Sequence, residues 1–309
     1  MSDNKSTART NDVVVGVDGS PASVKALQYA VAEAERLGAR VHVVHAIQTY
    51  VPMAPMYPLP IEDMTSAGRT VLRQVVDAAH APSSVQLTTT LSRLGAIPAL
   101  VAASRDARSV VLGADRRPAA VRIFTGNVST GVAASSAAPV VAVPESWTSD
   151  GGTGLVLAGV KRPDHSAALL SEAFATARSR GAALLVLHAW QLPSGYDDLI
   201  ANHAVQEWDT RARDEMEKAL EEWRVAYPEV EVEVRSVHDQ PAHALVSATA
   251  EVDEVVLVRR AHGVPAALHL GPTARAVLAH AHCPVRIVPA DRVLPTPDLV
   301  LEDAGAMTK

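Results

Sequence analysis

The stretch VVVGVDGSPAS, which occupies residues 13–23, indicates the fold class. Residues 13–17 form a short continuous apolar run, as expected for a strand that is buried on both faces of a parallel sheet. A Gly-Ser-Pro turn then breaks the strand, and Ser20 or Pro21 can start a helix that Gly38 ends. A buried strand that leads directly into a helix is typical of an α/β domain.

The same pattern recurs in the second half of the chain. With a shift of 143 residues, residues 13–47 align without a gap on residues 156–190, and 13 of the 35 pairs are identical. With a shift of 145, residues 110–144 align on residues 255–289, where a glycine and a Pro-Val pair also match. Glycines and prolines that match at fixed offsets are hard to obtain by chance, so we interpret the chain as one domain present twice.

Each repeat alternates apolar strand segments with helices of about 10–20 residues, which implies right-handed crossovers and a parallel sheet covered on both faces. The sequence therefore predicts an α/β protein with two doubly wound, five-stranded parallel-sheet domains in tandem. We expect a disordered tail over residues 1–11, domains over 12–146 and 154–290, a glycine-rich linker over 147–153 and a C-terminal tail over 291–309.

The composition of the 309-residue chain excludes several classes of protein. With 48% hydrophobic and 20% charged residues it is too apolar to be disordered, and its net charge of −6 argues against general nucleic-acid binding. The single cysteine, Cys283, cannot form an intrachain disulfide. The sequence contains neither a signal-peptide pattern nor the roughly 18–20 consecutive apolar residues of a membrane helix. These observations predict a cytoplasmic protein with no membrane partner.

The two repeats differ in net charge. Residues 1–149 carry 13 basic and 11 acidic side chains, a net charge of +2, whereas residues 150–309 carry 15 basic and 23 acidic side chains, a net charge of −8. An anionic ligand would therefore favour the first repeat.

Candidate binding residues follow the strands of the first repeat. In open α/β sheets, ligands bind beyond the carboxyl ends of the strands, at the point where the strand order reverses. Asp18 follows the first strand, Ala46 ends the second and Gly113 ends the fourth. The Asp18 carboxylate can accept a hydrogen bond from a sugar hydroxyl or a base amine, or Asp18 or Ser20 can simply cap the first helix.

These residues resemble the universal stress protein family. Residues 14–20, VVGVDGS, resemble the opening of a universal stress protein domain. The Gly-Asn-Val-Ser turn at residues 126–129 and the Pro-Val endings of both repeats resemble its closing segment. The likeness covers both repeats and implies a tandem member, in which the two copies pair within the chain through their final strands. It leaves open a homodimer and a protein partner of unknown identity.

Nucleotide-binding members of that family carry a phosphate loop of Gly, two residues, Gly, nine residues, Gly, and then Ser or Thr. Such glycines let the backbone approach phosphates at a helix N-terminus. Here Gly113 and Gly126 keep the spacing, but Arg116 replaces the middle glycine. Asn127 replaces the hydroxyl residue, and Ser129 follows two positions later. The resemblance therefore implies a phosphate loop that is only partly retained.

The resemblance also implies a role for the residues at the strand ends. Asp18 would face the ribose or the adenine, and the backbone near Ala46 would hold the base. In the second repeat Lys161 replaces Asp18, and Pro272 stands where the first repeat has Asn127. Because proline has neither an N–H nor a hydroxyl group, that position has no donor for a phosphate. A nucleotide is therefore expected in the first domain only.

The resemblance implies a stress-response regulatory protein that binds ATP or another adenine nucleotide in its first domain. The main alternative is a structural or protein-interaction module that binds no nucleotide and whose pockets are vestigial, and a weak ATP hydrolase is a third option. The sequence contains no Walker P-loop, no nucleophile elbow and no HExxH motif. It also lacks the spacing of a metal-ligand motif. We therefore expect neither an enzyme nor a metal site.

Overall fold

The computed structural model describes residues 11–47, 61–114, 128–149, 152–162, 166–191, 205–259 and 270–294. The chain forms two compact units. The first unit contains residues 1–151 and 259–289, and the second contains residues 152–258 and 290–309. The last helix and strand of the second repeat thus belong to the first unit. Repeats and units divide the chain differently, and the domain boundaries drawn from the repeats stay a prediction.

The described residues contain ten strands and eight α-helices, and each repeat contributes five of the strands. The strands are β1 Asp12–Gly16, β2 Val41–Ala46, β3 Leu87–Ser92, β4 Ala107–Gly113, β5 Val140–Val143, β6 Leu155–Gly159, β7 Ala183–Trp190, β8 Val232–His238, β9 Glu254–Val258 and β10 Val285–Val288. The helices are α1 Pro21–Leu37, α2 Ile61–Ala79, α3 Ala96–Ala103, α4 Val128–Ser135, α5 Ala167–Arg180, α6 Val205–Ala226, α7 Pro241–Ala248 and α8 Pro272–His280. None of these described helices combines the length and the apolar character needed to cross a bilayer.

The sheet of the first unit has the strand order β3-β2-β1-β4-β5-β10. Neighbouring strands from β3 to β5 run parallel. The final strand of the second repeat, β10, pairs antiparallel with β5, the final strand of the first, so that Ile287 lies opposite Val140. Because β1 has β2 on one side and β4 on the other, the strand order reverses between β1 and β4. This is the switch point at which doubly wound sheets bind ligands.

The sheet of the second unit has the strand order β9-β6-β7-β8, with parallel pairing at each step. Central residues of β6 and β7, such as Leu157 and Leu185, are fully buried. Strands with two covered faces are expected wherever helices cross over between parallel neighbours. Both units confirm the predicted α/β class with mostly parallel sheets.

Helix α1 begins and ends at the residues expected from the sequence. Ser20 is its N-cap, Pro21 occupies its first turn, and Gly38 ends it in the left-handed conformation with φ 59°. Pro is favoured at the first helical position because its fixed φ suits a helix, and Gly is favoured just beyond the last position because it adopts the left-handed conformation without strain. Gly181 ends α5 in the same way, with φ 61°.

The matching glycines at the ends of β1 and β6 have a shared packing role. A Cβ atom on Gly16 would lie 2.6 Å from Leu112 Cδ2, and one on Gly159 would lie 2.5 Å from Leu257 Cδ2. Both distances are well inside van der Waals contact, and a packed core has few voids to absorb the displaced side chain. The identity of these glycines between the repeats therefore reflects the packing of neighbouring strands and helices.

Three segments that the sequence singled out lie wholly or largely outside the described residues. They are the predicted N-terminal tail at residues 1–11, the Pro- and Met-rich loop at residues 49–60 and the predicted C-terminal tail at residues 291–309.

Candidate functional site

A cleft of about 1100 Å³ opens in the first unit beyond the carboxyl ends of β1, β2 and β4. It therefore lies at the switch point of the sheet, where ligands of doubly wound domains bind. Strand ends and the helices α2 and α3 supply its apolar lining, and the turn after β1 and the first turns of α1 and α4 supply polar groups.

Four of the seven residues that the sequence nominated line this cleft. They are Asp18, Ala46, Gly113 and Ser129. The other three lie outside the described residues, and they are Arg116, Gly126 and Asn127. The fold thus brings the ends of β1, β2 and β4 and the start of α4 to one place, although these elements are far apart in the sequence.

Asp18 supports the residue that caps α1. The Ser20 hydroxyl accepts a hydrogen bond from the backbone N–H of Ser23 at 3.2 Å, so Ser20 is the cap. Asp18 Oδ1 accepts from the Ser20 N–H at 3.0 Å and from the Ser20 hydroxyl at 2.6 Å. The glycine between them, Gly19, has a φ of 86°, which favours glycine. Asp18 is exposed on the cleft while it stabilises the cap, so the two interpretations of this carboxylate are compatible.

Gly113 lies where β4 approaches the backbone of α1. A Cβ atom at this position would be 2.8 Å from both the carbonyl carbon and the carbonyl oxygen of Ala22. The Gly113 carbonyl accepts a hydrogen bond from the Ser129 hydroxyl at 3.1 Å, which ties the start of α4 to the end of β4. Packing alone therefore requires a glycine at residue 113, and Ser129 has a structural partner.

The sequence did not predict that α2, α3 and the segment after β5 line the cleft. Asp63 and Val71 line the cleft from α2, Leu100 lines it from α3, and Glu145 lines it just after β5. A Cβ atom on Gly19 would lie 3.2 Å from Val71 Cγ1, so α2 approaches the turn that carries Asp18. The amphipathic pattern of α2 indicates a buried face, but no local signal indicates which strand ends that face covers.

The described lining of the cleft is acidic. Its charged side chains are the carboxylates of Asp18, Asp63 and Glu145. Within the described ranges, no group of three or more His, Cys, Asp or Glu side chains is arranged to hold a metal ion.

The sequence model of the universal stress protein family matches residues 10–144 and again residues 154–289. The chain belongs to the universal stress protein family. A universal stress protein of Mycobacterium tuberculosis is 28% identical over 316 residues, which cover 94% of this chain and 99% of that protein. A second one from the same organism is 30% identical over 295 residues, which cover 90% and 96%. The crystal structure of a universal stress protein from Archaeoglobus fulgidus has the same fold, with a TM-score of 0.68 at 18% identity, and covers 90% of this chain and 96% of that one.

The second repeat of this universal stress protein differs from the first at the strand ends. Lys161 occupies the position that matches Asp18, and it is exposed. Val258 matches Gly113 and ends β9. The second repeat therefore has an ammonium group in place of the carboxylate, and a branched side chain in place of the closely packed glycine.

Trp190 ends β7 at the position that matches Ile47, which lines the cleft of the first unit. The indole N–H of Trp190 donates a hydrogen bond to Asp209 Oδ1 at 2.7 Å. Its ring centroid lies 5.8 Å from that of Trp208 and 4.4 Å from that of His238. In this universal stress protein, side chains of the second unit thus surround the end of β7, whereas the matching residue at the end of β2 lines the cleft of the first unit.

Matching histidines in the two universal stress protein repeats make the same hydrogen bond. His45 Nδ1 lies 2.8 Å from the Val17 carbonyl oxygen, and His188 Nδ1 lies 3.0 Å from that of Val160. Because a carbonyl oxygen only accepts, Nδ1 carries the proton in both rings. The contact persists in the repeat that lacks Asp18, which indicates that both histidines stabilise neighbouring strand ends.

Proposed function

We propose that this chain is a stress-response regulatory protein whose first unit binds ATP or another adenine nucleotide, and whose second unit binds none. The observation that carries the proposal is the cleft at the switch point of the first unit, with the Asp18 carboxylate exposed on its lining. Its volume of about 1100 Å³ is sufficient for a nucleotide, since small-molecule sites commonly have volumes of about 300–1,000 Å³.

The groups around the cleft suit the parts of an adenine nucleotide. The Asp18 carboxylate can accept hydrogen bonds from ribose hydroxyls or from the base amine. Such bonds are stronger than bonds between neutral groups, because the acceptor is charged. The end of β2 at Ala46 and the apolar faces of α2 and α3 offer a surface for a planar base. The first turn of α4 points backbone N–H groups outward, because such groups have no partner within their own helix.

One observation favours a second candidate, a structural or interaction module with a vestigial pocket. Gly113 is required by its approach to Ala22, and the Ser129 hydroxyl is bonded to Gly113. Two residues of the expected phosphate loop therefore have a sufficient structural reason to be present. A protein that binds no adenine compound would still need both of them.

Replacing Asp18 with alanine is expected to weaken ATP or AMP binding by at least about tenfold, because a hydrogen bond to a charged group contributes roughly 1.5–3 kcal/mol. Isothermal titration calorimetry on the full chain measures the effect. The proposal fails if the unmodified protein binds none of ATP, AMP and adenosine.

The matched control is Ser20→Ala, which removes the helix cap but keeps the carboxylate. We expect this variant to lose about 1 kcal/mol of stability, the usual cost of an N-cap, and to lose less affinity than Asp18→Ala. If Ser20→Ala weakens binding as much as Asp18→Ala does, then Asp18 acts through the cap and does not contact the ligand.

A further inference from the structure

Strand β3 is the outermost strand on one side of the first unit's sheet, where β2 is its neighbour among the described residues. The carbonyl of Ser92 accepts a hydrogen bond from the backbone N–H of Ile47 at 2.8 Å, so Ser92 turns its backbone groups toward β2. Successive residues of a strand turn these groups to opposite sides. The backbone groups of Leu87, Thr89 and Leu91 therefore point away from β2, and the central one, Thr89, is exposed.

This edge has none of the sequence features that usually keep another strand away. Natural edge strands commonly carry charged residues or proline, because an open edge is a template for pairing with a second chain. Residues 86–92, QLTTTLS, contain neither. Leu87 and Leu91 are only partly buried against the core, and Leu94, just beyond the strand, is 55% exposed. The edge thus combines outward backbone groups with apolar side chains.

The corresponding edge strand of the second unit, β8, is protected. The Arg224 guanidinium of α6 donates a hydrogen bond to the Val232 carbonyl at 3.3 Å, so this helix occupies a backbone acceptor of the edge. The strand also carries an ion pair between Arg235 and Glu233, which are 39% and 58% exposed and lie 3.1 Å apart. The same fold therefore accepts a charged edge strand, and the uncharged sequence of β3 is a property of the first unit.

The sequence of β3 is complementary to itself in one antiparallel register. With Thr89 opposite the same residue of a second copy, Leu87 lies opposite Leu91, and the threonines on either side of Thr89 face each other. The three residues with outward backbone groups then meet only one another, and three such pairs exchange about six hydrogen bonds. Leucine pairs directly across two strands add apolar contact. A register centred one residue later would place Leu87 opposite the charged Arg93 instead.

We propose that two copies of this chain associate through β3, as antiparallel neighbours across a two-fold axis at Thr89. Such an interface uses the same patch on both copies and joins the sheets of their first units edge to edge. Helix α2 packs over both β2 and β3. Because neighbouring strands lie about 4.8 Å apart, the two α2 helices would lie about 10 Å from each other, the usual spacing of packed helices, and would enlarge the interface. The proposal does not depend on nucleotide binding.

Analytical ultracentrifugation of the full chain tests the proposal. We expect the unmodified chain to dimerise, and Thr89→Lys to raise the dimer dissociation constant at least about tenfold at low salt, because two ammonium groups then lie directly opposite each other. High salt should recover part of the loss by screening them. Thr210→Lys is the matched control: Thr210 is exposed on α6 of the second unit, and the same change of charge there should leave the dissociation constant unchanged.

Cysteine cross-linking tests the register and does not require a charged substitution. Cys283, the single native cysteine, is buried, so a cysteine introduced at an exposed position dominates the reaction with a short bis-maleimide. We expect Thr89→Cys to give a covalent dimer in high yield, because the two residues lie opposite each other at the axis. Thr210→Cys should give little or none.

The outcomes decide the proposal without reference to the nucleotide. If the unmodified chain is a monomer at every concentration, the proposal is wrong, even if another protein binds to β3. If a dimer forms but Thr89→Lys has no more effect than Thr210→Lys, the copies associate through another surface and the proposal is also wrong. If Thr89→Lys does not fold, the yield of cross-linked Thr89→Cys compared with Thr210→Cys decides the question.

Discussion

Replacing Arg286 with methionine is expected to lower the free energy of unfolding by about 3–5 kcal/mol, the usual cost of leaving one partner of a buried ion pair alone. The Arg286 guanidinium lies 2.7 Å from Glu33 Oε2, and the two side chains are only 3% and 5% exposed. Methionine fills much of the arginine volume but leaves the buried Glu33 carboxylate without the guanidinium that pairs with it. Urea denaturation at neutral pH measures the loss.

The same pair makes stability depend on acid pH. Burial alone would raise the pKa of Glu33, but the charge of Arg286 and hydrogen bonds from Arg286 and Ser109 outweigh it and lower that pKa from 4.5 to about 2. The ionised carboxylate therefore stabilises the fold fully above about pH 4.5, and this contribution is lost as the pH falls toward 2. A shift of this size corresponds to about 3 kcal/mol. We expect the dependence between pH 5 and pH 2 to be much weaker in Arg286→Met.

An exposed ion pair on α6 provides the control. The side chains of Arg211 and Glu215 are 82% and 59% exposed, so Arg211→Met should change stability by less than about 0.5 kcal/mol. If Arg286→Met and Arg211→Met have the same small effect, then the Glu33–Arg286 pair does not stabilise the packing of β10 within the first unit.

Replacing Gly113 with alanine is the second large effect that we expect. The added methyl group would lie 2.8 Å from the Ala22 backbone, which cannot move aside as a flexible side chain can. Forced overpacking of this kind costs about 1–3 kcal/mol. The strain should also displace the Gly113 carbonyl from the Ser129 hydroxyl, and so weaken binding in the cleft. Thermal unfolding, followed by titration with adenosine, measures both consequences.

Gly95→Ala is the matched control for this substitution. Gly95 also lines the cleft, but its added methyl group would meet nothing closer than 3.7 Å. Its φ of −58° suits any residue, so the loss should be about 1 kcal/mol or less, within the range of an N-cap change. Unchanged stability in Gly113→Ala combined with lost binding would mean that this glycine serves the ligand and not the packing.

Local sequence patterns predicted most of the fold and part of the candidate site. The run at residues 13–17 predicted β1, and Ser20 and Gly38 predicted both ends of α1, because strand burial and helix capping depend on neighbours in the sequence. The position of Asp18 after a buried strand was sufficient to place it at the cleft. The repeat showed that Gly16 and Gly159 match, but only the structure showed the leucine side chains that require them.

Contacts between distant segments could not be predicted in this way. Asp63 and Glu145 join the cleft through the packing of α2 and the end of β5, for which the sequence has no local signal. The family resemblance implied that the final strands pair, but only the structure showed that the pairing of β10 with β5 places Arg286 beside Glu33, more than 250 residues away in the chain. The one sign of this ion pair in the sequence is the arginine inside the apolar run VRIV, because a charge on a buried strand is stable only beside a partner.

The most direct test of the central claim is photoaffinity labelling of the full chain with 2-azidoadenosine, followed by peptide mapping. We expect the label on peptides that contain residues 41–47, 61–79 or 128–135 of the first unit, and we expect excess adenosine to abolish it. A label concentrated on the second unit, or one that excess adenosine does not reduce, would contradict adenine binding at the first cleft.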